Sequence, residues 1–437
     1  MNVPAGVDPY VPGHGETTYS VQHYDLDLSY RVDGNHLDGE AVLHCVARDS
    51  LTSFSVDLHA LRPTKVSVEG TRASRFRHSG DKLTIRPAHP VEDGQEFEVR
   101  IKYAGNPKPV PSKILGAAGW EELLDGVIVA SQPHGAPSWF PCNDHPGDKA
   151  TYSITVTVPS DYHVAVTGEH VTSHRSARST TWYYEQKQPM ATYLASVQIG
   201  HYDVATIDAE VPLTRVTPRP ADEAGYEVAF GDQPKMLAYF SSVFGAYPFA
   251  SYTCVITDDD LEIPLESQAL STFGRNFMVD DWEAIRLVAH ELSHQWFGNA
   301  VTLGAWKDIW LHEGFACYAE WLWSQESGRD SAQERAAEHH ARLAKLDQRL
   351  LLGDPGPDLM FDDRVYKRGA LTLHALRAEV GDDAFFETLR SWVAAHSGGT
   401  VDTAMFVEHA SATCGRDLTD LFGQWLFHTD LPALPVL

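Results

Sequence analysis

No run of about 18 apolar residues occurs in this chain, so no segment is long enough to cross a bilayer as a helix. The first residues, MNVPAGVDPYVPGHGETT, carry neither a basic stretch nor an apolar one, so no signal peptide is read there. Cysteine is scarce. There are five in 437 residues, Cys45, Cys142, Cys254, Cys317 and Cys414, and no CxxC pair among them. An odd, scattered set argues against a disulfide framework and predicts reduced, packed thiols in a cytoplasmic protein. Basic residues are also few: 34 Lys and Arg against 60 Asp and Glu, a formal net charge of -26, with no basic tract. That disfavours nucleic acid and membrane surfaces as partners. It leaves a solvated acidic surface with a mild bias toward cationic substrates. Internal repeats, low-complexity segments and a Pro/Ser/Gly linker are missing as well.

What is there is an ordinary globular composition, 43% hydrophobic and 22% charged, in a length that supports two or three domains. The period of the apolar residues changes along the chain. From Tyr19 to about Ala205 it is mostly two: Tyr24, Leu26, Leu28 and Tyr30 share a face, as do Tyr152, Ile154, Val156 and Val158. Asp33-Gly34 between the first two such runs reads as a hairpin turn. From about Gly225 the period becomes helical. Helices are predicted near 232–244, 281–297, 308–325, 331–350, 363–380 and 383–395, with a further pair within 403–427. Gly328, Gly381 and Gly398 stand where helices should stop. The expected organisation is an N-terminal all-β domain, residues 1–205, followed by a mainly helical α+β domain, residues 206–437.

Within the helix predicted at 281–297 lies the stretch VAHELSHQWFGN, residues 288–299. Ile285, Val288, Ala289, Leu292 and Trp296 form its apolar stripe. His290 and His294 are one turn apart on one face, a spacing that lets two imidazoles reach one ion at about 2.0–2.1 Å. Glu291 is turned about 100° away, off the ligand face and toward where a bound water would sit. A tetrahedral catalytic site needs a third protein ligand and an open position. The stretch WKDIWLHEGFACYAEWLW supplies Glu313, with eighteen residues between it and His294. An antiparallel return of the next helix would bring that carboxylate back to the histidines. Glu313 sits in an aromatic and aliphatic segment, where an unpaired carboxylate is costly.

HExxH, eighteen residues, then a glutamate inside WLHEGFA resembles the M1 family of zinc metallopeptidases, the aminopeptidase N and leukotriene A4 hydrolase group. Further segments are similar to the family in the same order. They are SWFPCNDHPGDKATY at 138–152, MATYLASVQIGHY at 190–202, and YKRGAL from Tyr366. The match runs from about Tyr19 to Trp425. It implies an N-terminal β domain, a thermolysin-like catalytic domain, and one Zn²⁺ per chain held by His290, His294 and Glu313. It also implies that Glu291 acts as general base toward the water the metal activates, and that Tyr366 donates to the oxyanion. Asp308, five residues before Glu313, is expected to support a ligand histidine by accepting its hydrogen bond. His312 reads as a neighbour of the site, since a fourth protein ligand would block the water.

The resemblance also bears on what is cut. EIPLESQAL, residues 262–270, stands where the family has its GxMEN strand; only Glu266 of that motif is retained. Glu266 is expected to bind the free α-amine of a peptide, with Pro264 and Leu265 lining the same strand. Gln132 and His134 in SQPHGAPSW are expected to add polar substrate contacts. The expected activity is a zinc aminopeptidase acting on peptides with a free N-terminus. A zinc endopeptidase, a lipid-epoxide hydrolase and a non-catalytic peptide-binding protein are the alternatives. The expected assembly is a monomer or homodimer of the short form, without the family's C-terminal helical domain and with a cleft open on one side.

Overall fold

The computed structural model describes residues 8–437. Strands Tyr19–Arg31 and His36–Ala47 form an antiparallel pair with Arg31 opposite His36. Their connection holds Gly34 at φ 86° and Asn35 at φ 45°, the left-handed geometry that Gly and Asn adopt most readily. The strand Ala150–Pro159 lies parallel to the first of these, with Tyr24, Leu26 and Leu28 opposite Tyr152, Ile154 and Val156. All six are buried, so the period-two rows do meet as one apolar face. This eight-stranded sheet, with a three-stranded and a five-stranded sheet packed around it, makes the N-terminal domain. The FPC segment is drawn into that core: Phe140 stands edge-on to Tyr24, and Trp139 and Phe140 have no exposed surface.

The second domain begins with its own five-stranded sheet. The order is Tyr202–Ile207, Leu213–Pro218, Tyr252–Thr257, Leu270–Gly274, and the edge strand Leu265–Ser267. The division expected at residue 205 therefore falls inside a strand that pairs with the catalytic sheet. Helices follow: α1 Glu223–Phe230, α2 Gln233–Phe244, α3 Trp282–Ser293, α4 Trp310–Glu326, α5 Ala332–Leu343, α6 Asp363–Val380, α7 Asp382–His396, α8 Thr403–Cys414 and α9 Thr419–Phe427. The first was not foreseen. It is two turns long, and Asp222 caps it by accepting from the amide of Gly225.

Two helices stop short of their predicted ends. In α5 the Gln348 amide donates to the carbonyls of Leu343 and Leu346, satisfying the groups a further turn would have used. After Ser293 the coil of α3 first tightens, Gln295 and Trp296 donating three residues back, and then widens: the amides of Asn299, Ala300 and Val301 donate five residues back, to His294, Gln295 and Trp296. Gly298, at φ 128°, ends it. Val288, Ala289, Leu292 and Trp296 are fully buried, so the predicted stripe does seat this helix in the core. All five cysteines are free thiols, four of them buried. Among the described residues, no helix is long and apolar enough to cross a membrane.

Candidate metal centre and active site

Asp281 caps α3 through the amide of Glu283, and the helix carries His290 and Glu291 in its last turn. His294 follows as the first residue past the helix, still in helical geometry. α4 runs back alongside and presents Glu313. Ligand atoms of His290, His294 and Glu313 lie within 4.8 Å of one another, and all three side chains are buried. Glu313 Oε2 is 3.3 Å from His290 Nε2 and 3.5 Å from His294 Nε2.

The other ring nitrogens fix the tautomers. His290 Nδ1 donates to Glu320 Oε1 at 2.8 Å, and His294 Nδ1 donates to the carbonyl of Phe297 at 3.0 Å. Both Nε2 lone pairs therefore turn inward. Glu320 lies two turns beyond Glu313 on α4. Its second oxygen faces Arg286 at 3.3 Å and Lys367 at 3.7 Å. Burial pushes its carboxyl up, but Lys367, His290 and Arg286 outweigh that and hold it at about 2.

Asp308 does not support a histidine. Its Oδ1 accepts from the amide and hydroxyl of Thr403, tying the short turn Trp306–Asp308 to α8. The histidine acceptor is Glu320 instead, because only α4, antiparallel to α3, brings a carboxylate to the back of His290. Glu320 went unnoticed in the sequence; the seven-residue step from Glu313, two turns on one helix face, is the signal that could have found it. His312 is buried, and its Nε2 accepts from the amide of Leu303. Burial lowers it to about 3, so it is a neutral neighbour turned away from the ligand set.

The electrostatics call for a cation. Burial pushes Glu313 up, but His294 and His290 hold it well below the usual carboxylate range. Burial disfavours charge on His294, yet Glu313, with Glu266 and Glu291 beyond, raises it to about 10. Burial raises Glu291 to about 8, and Glu266 adds to that push. Its Oε2 is buried with no hydrogen-bond partner among the described residues. Two inward nitrogens, one carboxylate and an orphaned second carboxylate oxygen fit a dication bound by three protein ligands.

Tyr366, on α6, lies with its ring near-parallel to that of His290, the centroids 6.0 Å apart. Burial, then Glu313, Glu266 and Glu291, raise its hydroxyl far above the usual phenol range, which keeps it a donor. α6 reaches the site because it crosses α4 at Gly314 and Gly369. A Cβ on Gly369 would meet Gly314 Cα at 2.6 Å. One glycine follows Glu313 directly and the other is three residues past Tyr366.

Glu266 comes from the edge strand, opposite Ser271. Burial raises its carboxyl, while His294 and His290 pull it down and Glu313 pushes it up, the influences of a group that looks into the same site. Leu265 is half-buried opposite Thr272, Pro264 is buried, and Ile263 is 66% exposed. The strand hangs from the segment that follows α3. Asn299 Nδ2 donates to the carbonyls of Glu266 and Ser267, and Gln295 bonds both Ser267 O and the amide of Ala269. Gln132 is half-buried with its Nε2 unpartnered. His134 is buried. Its Nε2 donates to the carbonyl of Val110 and its ring packs edge-on to His14. Burial and His14 lower it, so it stays neutral within the N-terminal domain. Tyr193, unnoticed in the sequence, is buried with its hydroxyl 3.5 Å from Gly298 O, and Glu266 and Glu313 are the charges it feels.

Residues 20–194 match the Peptidase M1 N-terminal domain and residues 228–425 the Peptidase family M1 domain. The crystal structure of an M1 zinc metallopeptidase from Deinococcus radiodurans superposes with a TM-score of 0.90 at 33% identity, covering 98% of this chain and 99% of that one. The chain belongs to the M1 family of zinc metallopeptidases. Zinc is accordingly the cofactor that the His290, His294 and Glu313 set fits. A mutant of the Deinococcus M1 enzyme has been solved bound to a Tyr-Ser-Ala substrate, at 32% identity and a TM-score of 0.90. Among curated relatives, aminopeptidase Ey of Gallus gallus is 26% identical over 81% of this chain and 40% of that protein. Glutamyl aminopeptidase of Homo sapiens is 27% identical over 95% of this chain and 47% of that protein. The chain spans less than half the length of these two relatives.

Proposed function

We propose that the chain is an aminopeptidase that removes N-terminal residues from peptides carrying a free α-amine. The observation that carries this reading is Glu266 on the edge strand, a partly buried carboxylate within electrostatic reach of the proposed ligands His294 and Glu313. An ammonium held there sits beside the metal set, so the first peptide bond is the one presented for cleavage. The aminopeptidase relatives and the Tyr-Ser-Ala complex of the Deinococcus enzyme support it.

When bound by His290, His294 and Glu313, zinc supplies Lewis acidity and lowers the pKa of water to about 7. The chain's own residues do the rest. Glu291, with Oε2 free of protein partners, takes a proton from the attacking water and returns it to the leaving amine. Tyr366 stays protonated and donates to the oxygen that gains charge at the scissile carbonyl. Glu320, backed by Arg286 and Lys367, keeps His290 in its donor tautomer. The free cysteines favour a reducing compartment, and we place the protein in the cytoplasm.

A panel of fluorogenic aminoacyl substrates, with and without chelator, tests the reading. Hydrolysis of free but not N-acetylated substrates, abolished by chelator and restored by zinc, is expected. Equal rates on free and acetylated peptides would mean an endopeptidase, and the amine-anchor role would fall.

A further inference from the structure

Lys149 is the last residue before the strand Ala150–Pro159 of the N-terminal domain, yet its ammonium enters the catalytic domain. Nζ donates to the carbonyls of Asn299 at 3.0 Å and Ala300 at 3.1 Å and to Thr302 Oγ1 at 2.9 Å. Gly399 O lies at 3.5 Å. These are the widened coil after His294 and the loop beside it. Among the described residues no carboxylate is paired with this lysine; its partners are neutral oxygens. Burial without a counter-ion pulls the ammonium down to about 7, so holding it there is costly. A hydrophobic side chain would seal a domain boundary without that penalty.

What the ammonium grips explains the expense. Asn299 gives Lys149 its carbonyl, and with its side-chain amide it holds the carbonyls of Glu266 at 2.9 Å and Ser267 at 3.1 Å. The amide of Asn299 is bonded to His294 O. One residue therefore joins three things: the end of the metal-binding helix, the strand that carries Glu266, and a cation from the other domain. Thr302 Oγ1 donates to the same Asn299 carbonyl, so that oxygen is held from two sides. The edge strand itself is three residues long and pairs with a single neighbour. It has little of its own to fix its distance from the metal ligands.

We propose that Lys149 is a positioning residue for substrate amine binding: by clamping Asn299 it sets where Glu266 stands relative to the metal ligands. This rests on the aminopeptidase reading above. The test is a cycle of Lys149→Met in two backgrounds, native and Glu266→Ala, read as KM and kcat on free aminoacyl substrates. In the native background Lys149→Met should raise KM at least tenfold with kcat changed less than threefold. With Glu266 already gone, the same change should raise KM less than twofold, because two residues that act through one contact are not additive. Equal losses in both backgrounds, or none in either, would overturn the proposal. Zinc content should stay at one per chain in every variant.

A second readout does not depend on turnover. Amide hydrogen exchange across residues 262–270 should quicken at least tenfold in Lys149→Met while exchange within α3 is unchanged. Unchanged exchange at 262–270 would also overturn the proposal, even if the native protein proved to have some other activity. If Lys149→Met does not fold, Lys149→Arg provides the same reading: a bulkier cation that restores the bonds should restore slow exchange, and failure to do so counts against the clamp.

Discussion

Glu320 is the residue on which the metal centre's support can be tested most sharply. Glu320→Gln keeps the shape and an acceptor for His290 Nδ1 but deletes the charge. Arg286 and Lys367, 3.3 Å and 3.7 Å from Oε2, then have no partner there. At an effective dielectric of about 20, each pairing is worth roughly 5 kcal/mol before desolvation is counted. Stripping one member of a buried ion pair costs about 3–5 kcal/mol net, which is the expected loss of stability. The metal suffers separately. His290 loses an anionic acceptor that made its Nε2 a better ligand, and behind a site built for a dication Lys367 loses its carboxylate while Arg286 keeps only Glu283, at 2.7 Å. Loss of such an outer partner lowers affinity about 10–100-fold, or about 1.4–2.7 kcal/mol. The assay is a competition titration of zinc against a chromophoric chelator, run beside thermal denaturation of the zinc-loaded and stripped protein. Zinc affinity within twofold of native, with a lowered Tm, would refute the reasoning: Glu320 would then hold the fold and not the metal. Glu320→Asp, which keeps the charge but withdraws it by one methylene, should fall between.

Glu291→Gln should bind zinc normally yet lose several orders of magnitude in kcat, since the proposed base goes and the proposed ligands stay; metal analysis with single-turnover kinetics checks both halves. Glu266→Ala should raise KM and lower kcat/KM on free aminoacyl substrates by about 2–4 kcal/mol, and a change below twofold would remove it as the amine anchor. Gly369→Ala forces a methyl against Gly314 Cα at 2.6 Å. The helices must part at about 1–3 kcal/mol, Tyr366 moves with them, and kcat should drop even at temperatures where circular dichroism reports full folding. Burial lowers His163 to about 4, so the unfolded chain takes the proton first. Its contribution is intact above pH 6.5 and fades as pH falls from about 6.5 to 4, by up to about 3 kcal/mol. The Tm of native protein minus that of His163→Phe should fall as pH drops from 7.5 to 4.5; a constant difference would contradict this.

The strand rows around Tyr24 and Tyr152 and the stripe of α3 were legible because burial imposes a period and the chain writes it down. The boundary at residue 205 was not. The strand Tyr202–Ile207 alternates like those before it, and only its pairing with Leu213–Pro218 assigns it to the second domain. The early end of α3 was hidden too, because the residues after Ser293 still carry helical spacing. Their bonds first shorten to three residues back, at Gln295 and Trp296, and then lengthen to five, at Asn299, Ala300 and Val301.

By itself the sequence determined two histidines one turn apart, the glutamate beside the first, the glutamates at positions 313 and 266, and the family. All of these rest on local geometry or on short segments. The tertiary structure decided which groups stand behind them. It gave the His290 hydrogen bond to Glu320 and not Asp308, kept His134 among N-terminal residues, and joined Lys149 to Asn299 across 150 positions. The reason is physical. A ligand's supporting partner is chosen by whichever oppositely charged or polar group the packing of separate elements brings within about 3 Å. That distance is fixed only when helices cross and sheets close, as α4 and α6 do at Gly314 and Gly369.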